Sequence, residues 1–256
     1  MKSRRILLKY IITAIGFSSI SSYIKNSYAF LNKNYILGDN LFCKKTPEQI
    51  PGPYYRNLTL VRRHIIDSQE GIPLLIKFRV VDVLKNCEPV ENLCVNIWHC
   101  NSEGHYSGWD FINPNLEVMS DDIGSVPRTD EKNFLRGSQL TDSSGFVRFT
   151  TIYPGFYAGR ATHIHFTITE CLEKKEQVLV SQLYFPEDMN IEVYKSKYYP
   201  SREINRINNM EDDYYKNMNG RKLVLNIKKL SNDINDGLFG EMTIYINSNE
   251  KSLTYN

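Results

Sequence analysis

A chain of 256 residues, 41% hydrophobic and 23% charged, is long enough to bury the core of one sizeable globular domain. Its 31 Lys and Arg against 29 Asp and Glu leave a net charge of +2, too weak a field to point to nucleic acid, and that class of partner is set aside. Five cysteines without a C-x-x-C pair argue against a zinc ribbon.

In chain order, the first segment reads as an export signal covering 1–29. Lys2, Arg4, Arg5 and Lys9 precede the apolar, serine-diluted run 11-IITAIGFSSISSYI-24, and 27-SYA-29 offers small residues for cleavage after Ala29. A membrane anchor needs about 20 apolar residues, more than this run supplies, so no stable membrane insertion is expected after cleavage. The stretch 3-SRRILLK-9 resembles the twin-arginine signal, with Leu7 where phenylalanine is commonest, and implies export of a folded protein to the periplasm or beyond. In an exported chain Cys43, Cys87, Cys94, Cys100 and Cys171 leave at least one thiol over, and a Cys87–Cys100 cross-link is one option.

Residues 30–50 read as a polar extension, and 51-PGPYYR-56 carries turn chemistry. From there to 249 the pattern is a single β domain. Alternation at 74-LLIKFRVVDVL-84, 93-LCVNIWHC-100 and 146-FVRFTTI-152, an apolar run at 178-VLVSQLYF-185, and late segments at 222-KLVLNIKKL-230 and 242-MTIYINS-248 all predict strands. Turns such as 143-SSG-145 and 154-PG-155 separate them, so the expected fold is an all-β antiparallel sandwich or barrel with long loops. Helical periodicity is confined to about 187–218.

The stretch 157-YAGRATHIHF-166 places His163 and His165 two apart in a segment with strand character. Residues i and i+2 share a face in a strand but not in a helix, so both imidazoles are expected to project to one side, as a metal-gripping pair or as an ordinary strand pair. A single tyrosine is a weak signal in a chain that has 17 of them.

The combination decides between those readings. The segments 97-IWHCNSEGHY-106 and 152-IYPGFYAGRATHIHF-166 together resemble the intradiol ring-cleavage dioxygenases, in which two tyrosines and two histidines hold a non-haem ferric ion. The resemblance implies Tyr106 as one ligand, Tyr157 of 154-PGFY-157 (rather than Tyr153) as the second, and His163 and His165 as the others. It implies Arg160 as the active-site arginine, Gln182 of 181-SQLYF-185 near the substrate, and Tyr54 of 46-TPEQIPGPYYR-56 lining the pocket. It runs from about Thr46 to about Ile246. His105 is expected to be a loop residue and His99 structural or just behind the site.

The implied fold is the β-sandwich of that family, and the implied reaction opens a catechol-type ring between its two hydroxyl carbons with O2, giving a muconate-type diacid. Phenolate is a hard anionic donor suited to Fe(III), and the set differs from the 2-His-1-carboxylate arrangement that holds ferrous iron. Tyr157 corresponds to the tyrosine that leaves and takes a substrate proton, while Arg160 steadies accumulating negative charge. The Tyr157–His163 loop is several residues shorter than in protocatechuate dioxygenases, and only about twenty residues separate Ala29 from Pro51, against the long helical segment of the catechol 1,2-type. The chain is therefore more similar to a protocatechuate dioxygenase subunit or an exported single-domain relative, with a homo-oligomer among the expected partners. The contrasting reading is an exported transthyretin-like sandwich that binds iron or catechol-type ligands without turnover. A zinc hydrolase lacks a third ligand at the usual spacing.

Overall fold

The computed structural model describes residues 43–170 and 176–254; the export segment, most of the 30–50 extension and Cys171 lie outside them. The elements below belong to the compact unit Lys45–Asn256. The strands are β1 (Pro73–Asp82), β2 (Glu88–Pro89), β3 (Cys94–Trp98), β4 (Arg136–Leu140), β5 (Phe146–Ile152), β6 (His163–Thr169), β7 (Gln177–Tyr184), β8 (Asn226–Lys229) and β9 (Leu238–Ile246). Two short helices, α1 (Glu187–Val193) and α2 (Asp213–Asn217), fall in the stretch expected to be helical.

The strands form two sheets. One has the order β4-β3-β6-β7; the other has the order β2-β1-β9-β8, with β5 also paired to β1. Pairing is antiparallel apart from β1 with β9, which run parallel from Leu74 against Leu238 to Asp82 against Ile246. Alternate residues of the two sheets meet in one core: Ile76, Phe78 and Val80 of β1 and Val147 and Phe149 of β5 cluster with Val95 and Ile97 of β3 and Ile164, Phe166 and Ile168 of β6. This is the β-sandwich that the alternation predicts, each sheet burying one face against the other.

Strand β4 is absent from the sequence expectation. Its residues RGSQL carry no apolar alternation, and it exists because Cys94–Trp98 pairs with it along its length. The possible Cys87–Cys100 cross-link is corrected: Cys87 is disulfide-bonded, whereas Cys100 is a buried free thiol.

Strands β6 and β7 are buried on both faces. Their inward face joins the sandwich core, and the segment before β1 runs along β7 and covers part of the outer face. Gln49 N donates to Val180 O at 3.0 Å, Ser181 Oγ to Pro47 O at 2.7 Å, and Gln182 Nε2 to Ile50 O at 2.9 Å. That outer face holds the candidate site.

Candidate functional site

Register sets the site. Across β3, β6 and β7, Trp98 lies opposite His165 and His165 opposite Gln182; one step along, His163 lies opposite Tyr184. Directly opposed residues share a face, so these side chains form one patch. Trp98 stacks flat on His165, with ring centroids 5.0 Å apart and planes 4° from parallel, and fixes the imidazole's orientation. Gly52, at φ +74°, also comes so close that a Cβ there would lie 3.3 Å from His165 Cε1. A side chain at that position would press on the ring, and its positive φ is one that glycine adopts without penalty.

The two tyrosines arrive from loops. Asn101 Oδ1 accepts from the backbone N–H groups of Glu103 (3.1 Å) and His105 (2.9 Å), and this turn delivers Tyr106. The loop carrying Tyr157 packs directly against it: Gly155 N donates to Asn101 O at 3.0 Å, and a Cβ on Gly155 would sit 2.5 Å from the carbonyl oxygens of Asn101 and Ser102. Any larger residue would push the loops apart. Buried Arg136 of β4 ties down the next residue, donating to Ser107 Oγ at 2.8 Å and Ser107 O at 2.9 Å; burial lowers its pKa to about 9.

Four polar atoms converge. His163 Nε2 lies 3.0 Å from His165 Nε2, 3.2 Å from the Tyr157 hydroxyl and 3.5 Å from the Tyr106 hydroxyl. His163 Nδ1 donates to Ala161 O at 2.7 Å, which turns the lone pair of the neutral ring, on Nε2, toward this cluster. Burial holds both imidazoles below the usual histidine range, with the Arg160 charge and their mutual proximity adding to it, so both are neutral. Burial likewise raises the phenols of Tyr106 and Tyr157 above the usual tyrosine range.

The set fits a hard trivalent cation. Separations of 3.0 to 3.5 Å between the donor atoms would let Tyr106, Tyr157, His163 and His165 hold one ion together. The four atoms satisfy one another only by hydrogen bonds within the cluster, and His165 Nδ1 is buried without a partner; two imidazole lone pairs and two phenol oxygens are also the donor types that would hold a hard cation. Among the described residues no group of three or more His, Cys, Asp or Glu side chains is placed to share a metal; an ion held at this cluster would draw on the two phenols as well as the two imidazoles.

Arg160 sits beside the cluster and is 7% exposed. Its Nε donates to Asp212 Oδ2 at 2.8 Å and its Nη2 to Gln182 Oε1 at 2.6 Å, and its guanidinium lies 4.5 Å from the Tyr214 ring centroid. Burial opposes its charge, but Tyr157 and Asp212 outweigh burial and hold it above its ordinary value. Tyr54 closes another side, stacked on Tyr106 at 4.6 Å and edge-on to Tyr157 at 6.1 Å. A cleft of about 210 Å³, open to solvent, borders the cluster at Tyr157 and is lined also by Arg160, Tyr214, Glu117, Asp121 and Asp213.

All seven residues marked out in the sequence thus lie in one place. Tyr153 is elsewhere, a core residue bonded to Asn190 Oδ1 at 2.6 Å. His99 is buried and satisfied by Cys100 O at 2.8 Å and Thr151 Oγ1 at 2.7 Å, and His105 lies in the turn before Tyr106. Sequence reading missed Asp212, Trp98 and Gly52 as parts of the site. For Asp212 a local signal exists, since an Asp before 213-DYYKN-217 is a helix-capping pattern, but its ion pair with Arg160 joins positions 52 apart.

Residues 47–226 match the family model described as Dioxygenase. Among curated proteins the chain is 33% identical over 147 residues to the protocatechuate 3,4-dioxygenase beta chain of Burkholderia cepacia, covering 54% of each. It is 29% identical over 147 residues to the chlorocatechol 1,2-dioxygenase of Cupriavidus pinatubonensis, covering 53% of each. The chain spans about half the length of these curated relatives. Among solved structures, the intradiol ring-cleavage dioxygenase from Tetranychus urticae superposes with a TM-score of 0.73 at 30% identity, over 83% of this chain and 98% of that one. With the family model matched over most of its length, the chain belongs to the intradiol ring-cleavage dioxygenase family.

Proposed function

We propose that this protein is an iron(III)-dependent dioxygenase that opens a catechol-type ring between its two hydroxyl-bearing carbons. The observation that carries the reading is the convergence of the Tyr106 and Tyr157 hydroxyls and His165 Nε2 on His163 Nε2, beside a cleft bordered by Tyr157 and Arg160. When bound, ferric iron supplies Lewis acidity, which favours the catechol dianion and makes its ring reactive toward O2.

The chain's own residues do the rest. Tyr157 borders the cleft and Tyr106 does not, so Tyr157, as the phenolate that a bound cation would maintain, is the group placed to reach a substrate hydroxyl and take its proton, becoming the neutral phenol. Arg160, held by Asp212 and Gln182, presents a fixed positive charge to the negative charge that builds up on the ring. Trp98 and Gly52 keep His165 in place, and Tyr54 walls the pocket.

The test is the product formed under isotopically labelled O2. Both oxygen atoms should appear in a diacid of the cis,cis-muconate type, with oxygen uptake matching substrate loss. A yellow hydroxymuconic semialdehyde, or activity requiring added ferrous iron and a reductant, overturns the reading; coloured ferric protein without oxygen uptake marks a binding protein instead.

Export belongs to the same proposal. It rests on the 1–29 segment and on Cys43 and Cys87 each being disulfide-bonded, which suits an oxidising compartment. Replacing Arg4 and Arg5 together by lysine should trap precursor inside the cell, and normal secretion of that variant points to the general secretory route.

A further inference from the structure

The cleft that reaches Tyr157 has an unbalanced lining. Glu117, Asp121 and Asp213 border it with Arg160 as the one cation. The charge on Arg160 is shared with buried Asp212 at 2.8 Å, so toward the cleft it offsets the three carboxylates only in part. Asp213 has Lys216 at 2.8 Å, but both are well exposed and the pair is screened by water. Asp121 accepts a hydrogen bond from the Tyr214 hydroxyl, which keeps its charge at the wall. Glu117 packs along Gly159, in the loop between Tyr157 and Arg160. The lining and its two partners therefore carry four carboxylates against two cations.

A catechol whose two oxygens address the donor cluster must direct its ring substituent outward along this cleft. There it meets negative potential, concentrated between low-dielectric walls. We propose that the cleft selects catechols by charge, taking rings with an ammonium-bearing or neutral side chain and disfavouring rings with a carboxylate. Glu117, Asp121 and Asp213 are the specificity-determining residues. The proposal rests on the ring-cleavage reading for its catechol core but makes a separate claim about the substituent.

Three probes of matched size test it: 4-(2-aminoethyl)catechol, 4-ethylcatechol and (3,4-dihydroxyphenyl)acetate. Each is presented to the iron-loaded protein at pH 7 and low ionic strength, and both calorimetric Kd and oxygen-uptake kcat/KM are recorded. The expected result is that the amine binds about tenfold or more tighter than the carboxylate, with the ethyl compound between, and that the gap narrows in about 0.5 M salt as screening shortens the field. In the Glu117→Gln/Asp213→Asn variant, which alters two exposed positions, the gap should shrink several-fold; Glu117→Lys should narrow it further. A carboxylate that binds as well as the amine, or a gap unchanged in both variants, overturns the proposal. Binding in the expected order without ring opening leaves charge selection standing and removes the ring-cleavage reading. Ring opening of all three with equal kcat/KM does the reverse.

Discussion

The Asp212 carboxylate accepts three hydrogen bonds at once, from Arg160 Nε at 2.8 Å, from the backbone N–H of Ala161 at 2.9 Å and from that of Tyr215 at 3.0 Å. One buried carboxylate thus caps α2, sets the guanidinium beside Tyr157 and anchors the residue whose carbonyl orients His163. Although burial opposes ionisation, Arg160 and the backbone donors hold its pKa below the usual aspartate value. Asp212→Asn leaves a buried arginine without its counter-charge, and the expected cost is about 3 kcal/mol of stability. Because Arg160 then loses its fixed position, turnover should fall at least tenfold while iron content stays near that of the parent. Chemical denaturation and iron analysis on the same preparation check both.

A second prediction concerns the four converging side chains. His163→Ala and His165→Ala should each lose ferric iron and its visible charge-transfer colour, since each removes a neutral nitrogen donor from a site with no carboxylate in reserve. Tyr157→Phe should keep most of the iron and lose most of the turnover, because it removes the base that faces the cleft. Iron stoichiometry and absorption spectra of the three variants distinguish these outcomes; a full complement of coloured iron in His163→Ala refutes the ligand assignment.

Gly52 gives a third. Gly52→Ala places a Cβ 3.3 Å from His165 Cε1 at a φ of +74°, whereas Gly124→Ala meets nothing within 4 Å at a similar φ of +78°. Both pay about 1 kcal/mol of backbone strain. Only Gly52→Ala should also weaken iron binding and reduce kcat/KM, by about tenfold, because the new methyl presses on an imidazole whose orientation Trp98 already fixes. Equal effects of the two substitutions on iron affinity would remove Gly52 from the site.

The fourth prediction is a pH dependence from His99, which is not among the proposed ligands. Burial lowers its pKa from 6.5 to about 4, with the Cys100 carbonyl opposing and Arg136 reinforcing the shift. The unfolded chain therefore binds a proton that the folded protein refuses. The stability from neutral, buried His99 is present in full above pH 6.5, declines as the pH falls toward 4 and is lost below that, a change on the order of 3 kcal/mol. Urea midpoints measured between pH 7 and pH 4 should fall less steeply for His99→Gln than for the parent. Parallel curves would show that another group governs the acid limb.

The sandwich was legible because its strands alternate. Phe146–Ile152 and Pro73–Asp82 bury every second residue, and that periodicity is written locally. The site was legible for a related reason: His163 and His165, two apart in a strand, must share a face, and the motifs around Tyr106 and Tyr157 could be matched to a family residue by residue. What local sequence does not contain is pairing across distance. RGSQL became β4 only because β3 lay beside it, and Gln182 and Trp98 became neighbours of His165 only through strand register. Asp212 found Arg160, and Gly52 found His165, through close packing between segments far apart in the chain. The donor types were thus determined by the sequence alone. Their orientation, their burial, and the acidic lining of the cleft beside them were decided by tertiary structure, because these depend on which surfaces the folded chain brings within a few ångströms of each other.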